Sequence, residues 1–598
     1  MGLQSRLIRY RPSRRAAVAI GLTATILLAG AVGGAAAGVA GVRAERHLRQ
    51  AAVVFGQLQA QLEAGQASAA RRTLSRLRTE TGAARAATGG LAWRAGGGLP
   101  WLGDDVRAVG TVAATLDDLV RDGLTPLVRA AGSLDPAALA PRGGRVPLSA
   151  LGQAEPLLRA ADAAVRRAHG RVSGIPSGGL RPGVRAAVGQ LRDRLGRAAS
   201  VTGTAARTAA ALPAMLGADG PRTYLMFFQN LAEVRATGGL PGAYVIVRAD
   251  RGTVRLLEQG TAATDMKTFP RPVLPLGRAM RALYTDRLAT FPGDVNFTPH
   301  FPTAAALLRE MYRRRSGRIV DGVLATDPVA LSYLLRVTGP VAVPGGPALT
   351  ARTAVRQLLA DAYARAQSNA AQDRYFADAA RAVFDMLTHR PGDPRALIAA
   401  LARAAGERRL LVWTAHPAEQ RTVAGTVLEG ALPTTDGDRP TVGVFLNDGG
   451  GSKLSYYLTH AAELTESPCR RAGRRELRLR VRLGTTAPAA GLPDSVLGLG
   501  LAGRYTTRTN VVVFAPAGGA VGSATVDGTA RPLGTGTERG RAVGVVTLDL
   551  RPGSAKTVEM TLLTSADASS GRPRLWTTPG TKPWAITVKT PRRCTPQR

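Results

Sequence analysis

The stretch Asn230 to Gly239, NLAEVRATGG, lies between the apolar runs YLMFFQ and LPGAYVIV. It sets an amide, a carboxylate, a guanidinium and a hydroxyl ahead of two glycines. A buried polar group left without a partner costs roughly 1–3 kcal/mol. Asn230, Glu233, Arg235 and Thr237 therefore require either internal partners or a ligand. Further polar residues stand at comparable places: Asp265 in ATDM, Asp294, Asn296 and His300 in GDVNFTPHFP, Asp321 in VDGV, and Asp373 with Arg374 in AQDRYFADAA. Several fall at the ends of strand-like runs or just before helices, where open α/β sheets place their ligands. Arginines there would suit a phosphate or pyrophosphate, because the guanidinium presents a planar fork of donors. Aspartates among them could hold a divalent cation through oxygen. Each also has a structural reading: Glu233 with Arg235 as an ion pair, Asp321 as a turn residue, Asp373 with Arg374 as a solvated helix start, and His300 as a loop histidine bonded to backbone.

Familiar enzyme signatures are missing. No Walker loop, G-x-G-x-x-G after a strand, G-x-S-x-G elbow or S-x-x-K set occurs where its context would be right. Cys469 and Cys594, the two cysteines, are too few for a cysteine zinc site or an iron–sulfur cluster, and the six histidines form no HExxH. A formal net charge of +37 invites an anionic partner. Nucleic acid is not expected, because the arginines are spread along the chain and aromatic residues make up only 5%.

The elements that must position these groups change character along the chain. Residues 16–42 carry no charge and exceed the roughly 20 residues that cross a bilayer. They are expected to form a transmembrane helix after a cytoplasmic tail, residues 1–15, rich in arginine. That orientation makes the chain a single-pass cell-membrane protein with its bulk extracytoplasmic. A cleaved signal peptide is the alternative, with Ala35 to Ala37 near the cut. In either case the two cysteines would meet an oxidising space, as one disulfide or as two free buried thiols. Residues 43–212 show apolar residues at threes and fours, such as Val184, Val188, Leu191 and Leu195, and predict an all-α stalk or bundle. Over residues 213–430 strands alternate with helices, predicting an α/β domain. There Asp327 caps a helix that Pro328 opens and Gly339 ends. From 440 to 598, ELRLRVRLG and several short apolar runs between turns predict an all-β sandwich.

The motifs QNLAEVRATGGLPGAYVIV, VDGVLATDPVALSYLLRVTGPVAV and VGVFLNDGGGSKLSYYL resemble an actinobacterial, membrane-anchored family known only as domain of unknown function 4012. More distantly, the order of features in the α/β part is similar to the LytR–CpsA–Psr phosphotransferases. Members of that family hold polyprenyl-pyrophosphate-linked glycopolymers and attach them to peptidoglycan. The likeness implies catalytic roles for Arg235, Asp265 and Arg374, with Asn230, Thr237, Asp294, Asn296 and Asp373 binding the ligand. If the domain is catalytic it also implies Mg2+, held on Asp265 or Asp294. Two positions depart from that family: Thr237 stands where it carries a carboxylate, and Ala263 and Thr264 where it carries an arginine before the acid. The expected function is binding, and in its enzymatic form transfer, of a phosphate-containing envelope glycopolymer or polyprenyl-linked precursor. The alternative is a non-catalytic envelope scaffold that binds wall polymer or a partner protein, its α/β site degenerate.

Overall fold

The computed structural model describes residues 38–63, 66–133, 144–366, 368–390, 392–471 and 473–589. The chain divides into two units: residues up to Leu139 with Pro147–Pro213, and Ala140–Val146 with Ala214–Arg598. The first unit is helical. Its long helices, Gly38–Glu63, Ala67–Ala87, Gly103–Leu119, Leu148–Ser173 and Pro182–Met215, carry apolar residues at helical spacing. These faces close on one another through Leu48, Val112, Leu116, Val172, Leu191 and Leu195.

The transmembrane helix expected over residues 16–42 lies outside the described residues except for Gly38–Val42, which open the helix Gly38–Glu63. That helix also carries Arg43, Glu45, Arg46 and Arg49, and buries Ala44, Leu48, Ala51 and Ala52 against protein. Charges at such density are costly in hydrocarbon. Among the described residues no helix is long and apolar enough to cross a membrane. The membrane-spanning element of the expected fold, and the membrane character drawn from it, are corrected accordingly. Cys594 and the side chain of Cys469 also lie outside the described residues, as does any disulfide between them.

The second unit contains three mixed sheets. The first has five strands in the order β3-β2-β1-β4-β5: β1 Arg222–Arg235, β2 Gly238–Asp250, β3 Thr253–Thr261, β4 Gly322–Thr326 and β5 Leu411–Thr414. β1 and β4 are parallel, and the other pairs are antiparallel. One face packs on the helix Phe301–Ser316 through Leu225, Phe227, Ile246, Leu307 and Leu308. The other carries Tyr224, Val245 and Val247, with Phe384 of the helix Asn369–His389 packed against them. The remaining sheets form a sandwich. Its strands are β6 Thr441–Asp448, β7 Leu458–Arg471, β8 Arg474–Thr485, β9 Thr507–Phe514, β10 Ala520–Val526, β11 Thr529–Ala530, β12 Gly534–Glu538, β13 Arg541–Leu550, β14 Ala555–Leu563, β15 Arg574–Thr577 and β16 Ala585–Lys589. They order as β11-β10-β14-β8-β7-β16 and β12-β13-β9-β6-β15. In β8, Leu477, Leu479, Val481 and Leu483 are buried while Arg478, Arg480 and Arg482 are exposed, as a strand with one solvated face requires.

The end of β1 leaves the α/β core and enters the sandwich. Val234 packs with Val442, Val444 and Leu446, while Ala236 joins Phe445, Val512 and Phe514. The NLAEVRATGG stretch is thus the joint between two cores of one unit.

Candidate functional site

The joint is built on a break in strand pairing. β1 and β2 shift register once between Phe227 and Gln229 and again after Asn230 opposes Leu240, where the next pair is Val234 with Gly239. Leu231 to Glu233 therefore bulge out of the ladder. Gly239 is required there, since a Cβ on it would lie 2.2 Å from the Asn230 carbonyl. Gly238, at φ 146°, occupies a region that side chains avoid. Within the bulge the Asn230 Oδ1 accepts from the Ala232 amide at 3.1 Å, and its Nδ2 donates to the Tyr363 hydroxyl at 2.8 Å. Glu233 pairs with Lys453 of the sandwich at 3.0 Å, and the Lys453 ammonium lies 4.8 Å from the Tyr363 ring centroid.

The expected Glu233–Arg235 ion pair does not form, because consecutive odd positions are drawn to different neighbours. Arg235 is 5% exposed. Its Nε donates to the Gly293 carbonyl at 3.1 Å, Nη1 to its neighbour Val234 at 3.0 Å and Nη2 to Asp294 Oδ1 at 3.1 Å. The other oxygen of Asp294 accepts from Arg287 at 2.8 Å, and the Phe297 ring lies 4.8 Å from the guanidinium carbon. Arg235 thus has an internal counter-ion and carbonyls for three of its donors, which is the satisfied state that a buried charge demands. Thr237 and Asn296 join the same network: the Thr237 hydroxyl donates to Gln229 Oε1 at 2.7 Å, and Asn296 Nδ2 donates to Thr237 at 2.9 Å and to the Gly239 carbonyl at 2.8 Å.

The sandwich supplies the rest. Asn447 Oδ1 accepts from the Ala236 amide at 2.9 Å and its Nδ2 donates to the Phe297 carbonyl at 3.0 Å. Asp448 accepts from the amides of Gly450 and Gly451. Burial pushes its carboxyl up to about 6, with Glu233 adding to the rise and Arg235 opposing it. Asn447, Asp448, Gln229, Lys453 and Tyr363 are the members of this network that sequence reasoning left without a role. Asn447, Asp448 and Lys453 lie in LNDGGGSK, a run whose amide, acid and glycines together were the available signal.

Asp265 and Asp373 form a second group. Asp265 follows β3 in the turn Ala262–Met266 and accepts from the Thr261 amide at 2.8 Å and the Tyr244 hydroxyl at 3.1 Å. Asp373, in the helix Asn369–His389, is held above the usual carboxylate range by burial and then by the charge of Asp265. The fold thus places Asp373 within reach of the charge of an acid far from it in sequence. Arg374, the next residue, is exposed, and the Arg235 network does not include it. Among the described residues no group of three or more His, Cys, Asp or Glu is placed to hold a metal ion. Asp265 and Asp373 offer two carboxylates, and Asp294 is engaged by two arginines.

His300 and Asp321 are absorbed structurally. His300 Nδ1 accepts from the Leu432 amide at 2.9 Å, and burial, followed by Arg539, pushes the ring down to about 3. Asp321 accepts from the Thr223 amide at 2.7 Å and meets His416 at 2.7 Å. Asp327 caps its helix, accepting from Ala330 at 2.8 Å, and pairs with Arg409 at 2.8 Å.

Residues 219–363 match the family described as protein of unknown function, DUF4012. The matched segment holds Asn230, Arg235, Thr237, Asp265, Asp294, Asn296 and Tyr363, and ends before Asp373, Arg374 and the sandwich. No curated protein matches the chain.

Proposed function

We propose that this protein is a non-catalytic binding scaffold for a phosphate-containing cell-envelope glycopolymer, its α/β part serving as framework and its sandwich as the binding part. One observation carries the reading: Arg235, to which the LytR–CpsA–Psr likeness gives the diphosphate, is buried and neutralised by Asp294. A guanidinium so engaged would have to break a buried ion pair before it could bind phosphate, at a cost of several kcal/mol. The two departures from the phosphotransferase pattern, at Thr237 and at Ala263 with Thr264, point the same way. The formal net charge of +37 supplies long-range attraction to a polyanion.

A second reading, in which the α/β part binds or transfers a polyprenyl-linked precursor, is favoured by Asp373, which feels the charge of Asp265 and precedes the exposed Arg374. The two are separated by presenting the full chain with a glycosylated poly(glycerol phosphate) and with a prenyl-diphosphate-linked saccharide. A scaffold binds the first saturably and releases no phosphate from the second, with or without magnesium. Magnesium-dependent release that Asp265→Asn or Arg374→Ala abolishes would overturn the scaffold reading.

A further inference from the structure

The turn after the helix Pro394–Gly406 sends two consecutive arginines to different fates. Arg409 is paired with Asp327 and Glu407. Arg408 has no carboxylate partner among the described residues. Its guanidinium carbon lies 4.7 Å from the Trp576 ring centroid, with Phe445 at 5.9 Å, and Nη2 donates to the Thr577 carbonyl. A second guanidinium, Arg574, lies 6.0 Å from the same indole and donates through Nε to the Thr441 hydroxyl at 2.7 Å. Asp438, three residues before Thr441, faces Arg439 instead, at 3.6 Å.

Burial, followed by the charge of Arg574, pushes Arg408 down to about 10, since both disfavour the charged form. Backbone geometry adds a separate cost. Arg408 sits at φ 57°, at the end of a helix where glycine is the usual occupant. β15, which carries Arg574 and Trp576, is the edge strand of its sheet; Arg574 is exposed, and Arg408 and Trp576 are half-buried. Each guanidinium spends one donor on the protein's own oxygens and has four more.

We propose that Arg408, Arg574 and the Trp576 ring form a binding site for a phosphorylated sugar, the two guanidiniums holding the phosphate and the indole packing on the sugar. An anion between the arginines cancels the repulsion that the protein leaves uncompensated, and guanidinium forks match phosphate oxygens. The choice of a polymer unit as natural ligand rests on the scaffold reading above, whereas the phosphate site itself does not.

The full chain should be titrated calorimetrically with a hexose 1-phosphate, inorganic phosphate and a neutral methyl glucoside. The hexose phosphate is expected to bind more tightly than phosphate, and the neutral sugar not to register. Arg574→Gln should weaken the hexose phosphate about tenfold, and Trp576→Ala should erase its advantage over phosphate. Arg408→Gly relieves the left-handed backbone and tests the second guanidinium in a chain that still folds; it too should lose about tenfold. No heat with the wild-type chain, or equal affinity in wild type and Arg574→Gln, would overturn the site. If poly(glycerol phosphate) binds while Arg574→Gln leaves it unchanged, the site fails and the scaffold stands. If hexose phosphate binding depends on Arg574 but the polymer is not bound, the site stands without the scaffold.

Discussion

Arg235 and the Arg408–Arg574 pair occupy two regions of one unit and teach opposite lessons about the same side chain. At the joint, two arginines share one carboxylate, Asp294, and Arg235 also donates to backbone carbonyls. At the edge of the sandwich, two arginines share an aromatic ring and no carboxylate. Charge that is cancelled within the protein contributes to architecture. Charge left uncancelled, at a desolvation cost, is available to a ligand. In a chain with 79 lysines and arginines, the count says nothing about which is which. The local counter-ion does.

The largest test of this contrast is Asp294→Ala, which strands Arg235 without its counter-ion. Removing one partner of a buried ion pair costs about 3–5 kcal/mol, and a denaturant titration should show a loss of that order. Replacing both partners, with Arg235→Met and Asp294→Leu together, should recover much of it, because an uncharged pair leaves nothing uncompensated. A loss under about 1 kcal/mol in the single variant would mean the joint does not depend on the pair.

Next in size is a pH effect. Asp448 is raised from its ordinary value of 3.8 to about 6, so the folded state holds its proton where the unfolded chain has released it. Stability contributed by this group is therefore present below about pH 4 and lost as pH rises to about 6, with a difference on the order of 3 kcal/mol. Asp448→Asn should flatten that part of the stability profile. A profile unchanged by the substitution would remove Asp448 as its origin.

The smallest expected effects fall where the charge is free. Arg574→Gln and Arg374→Ala should each move stability by less than about 0.5 kcal/mol, as exposed substitutions do. Thermal unfolding of the two variants beside Asp294→Ala would sharpen the contrast, and a large drop at Arg574 would place it among the structural arginines instead.

Much of the local architecture was readable without coordinates. The alternation in β8 follows from a period of two, and the Asp327 cap from an acid ahead of a proline at the first turn. His300 could be read as a backbone-bonded loop histidine because prolines flank it. The joint was readable only as a question. Four polar types ahead of two glycines signalled that partners were needed, but Gln229, Asn447, Lys453 and Tyr363 come from places that no spacing rule connects. The Glu233–Arg235 pairing was the natural reading of proximity in sequence, and the bulge defeats it by sending the two side chains to different neighbours.

The sequence by itself determined the class of element in the α/β and sandwich regions and the bounds of the helix Pro328–Thr338, because caps, turns and hydrophobic period act over a few residues. It also determined that NLAEVRATGG must be satisfied by something. Only the tertiary structure decided what satisfies it and which arginines remain unsatisfied. A charge is neutralised through space over a few ångströms, and residues 59 or more apart along the chain become neighbours only when the sheets and helices have packed.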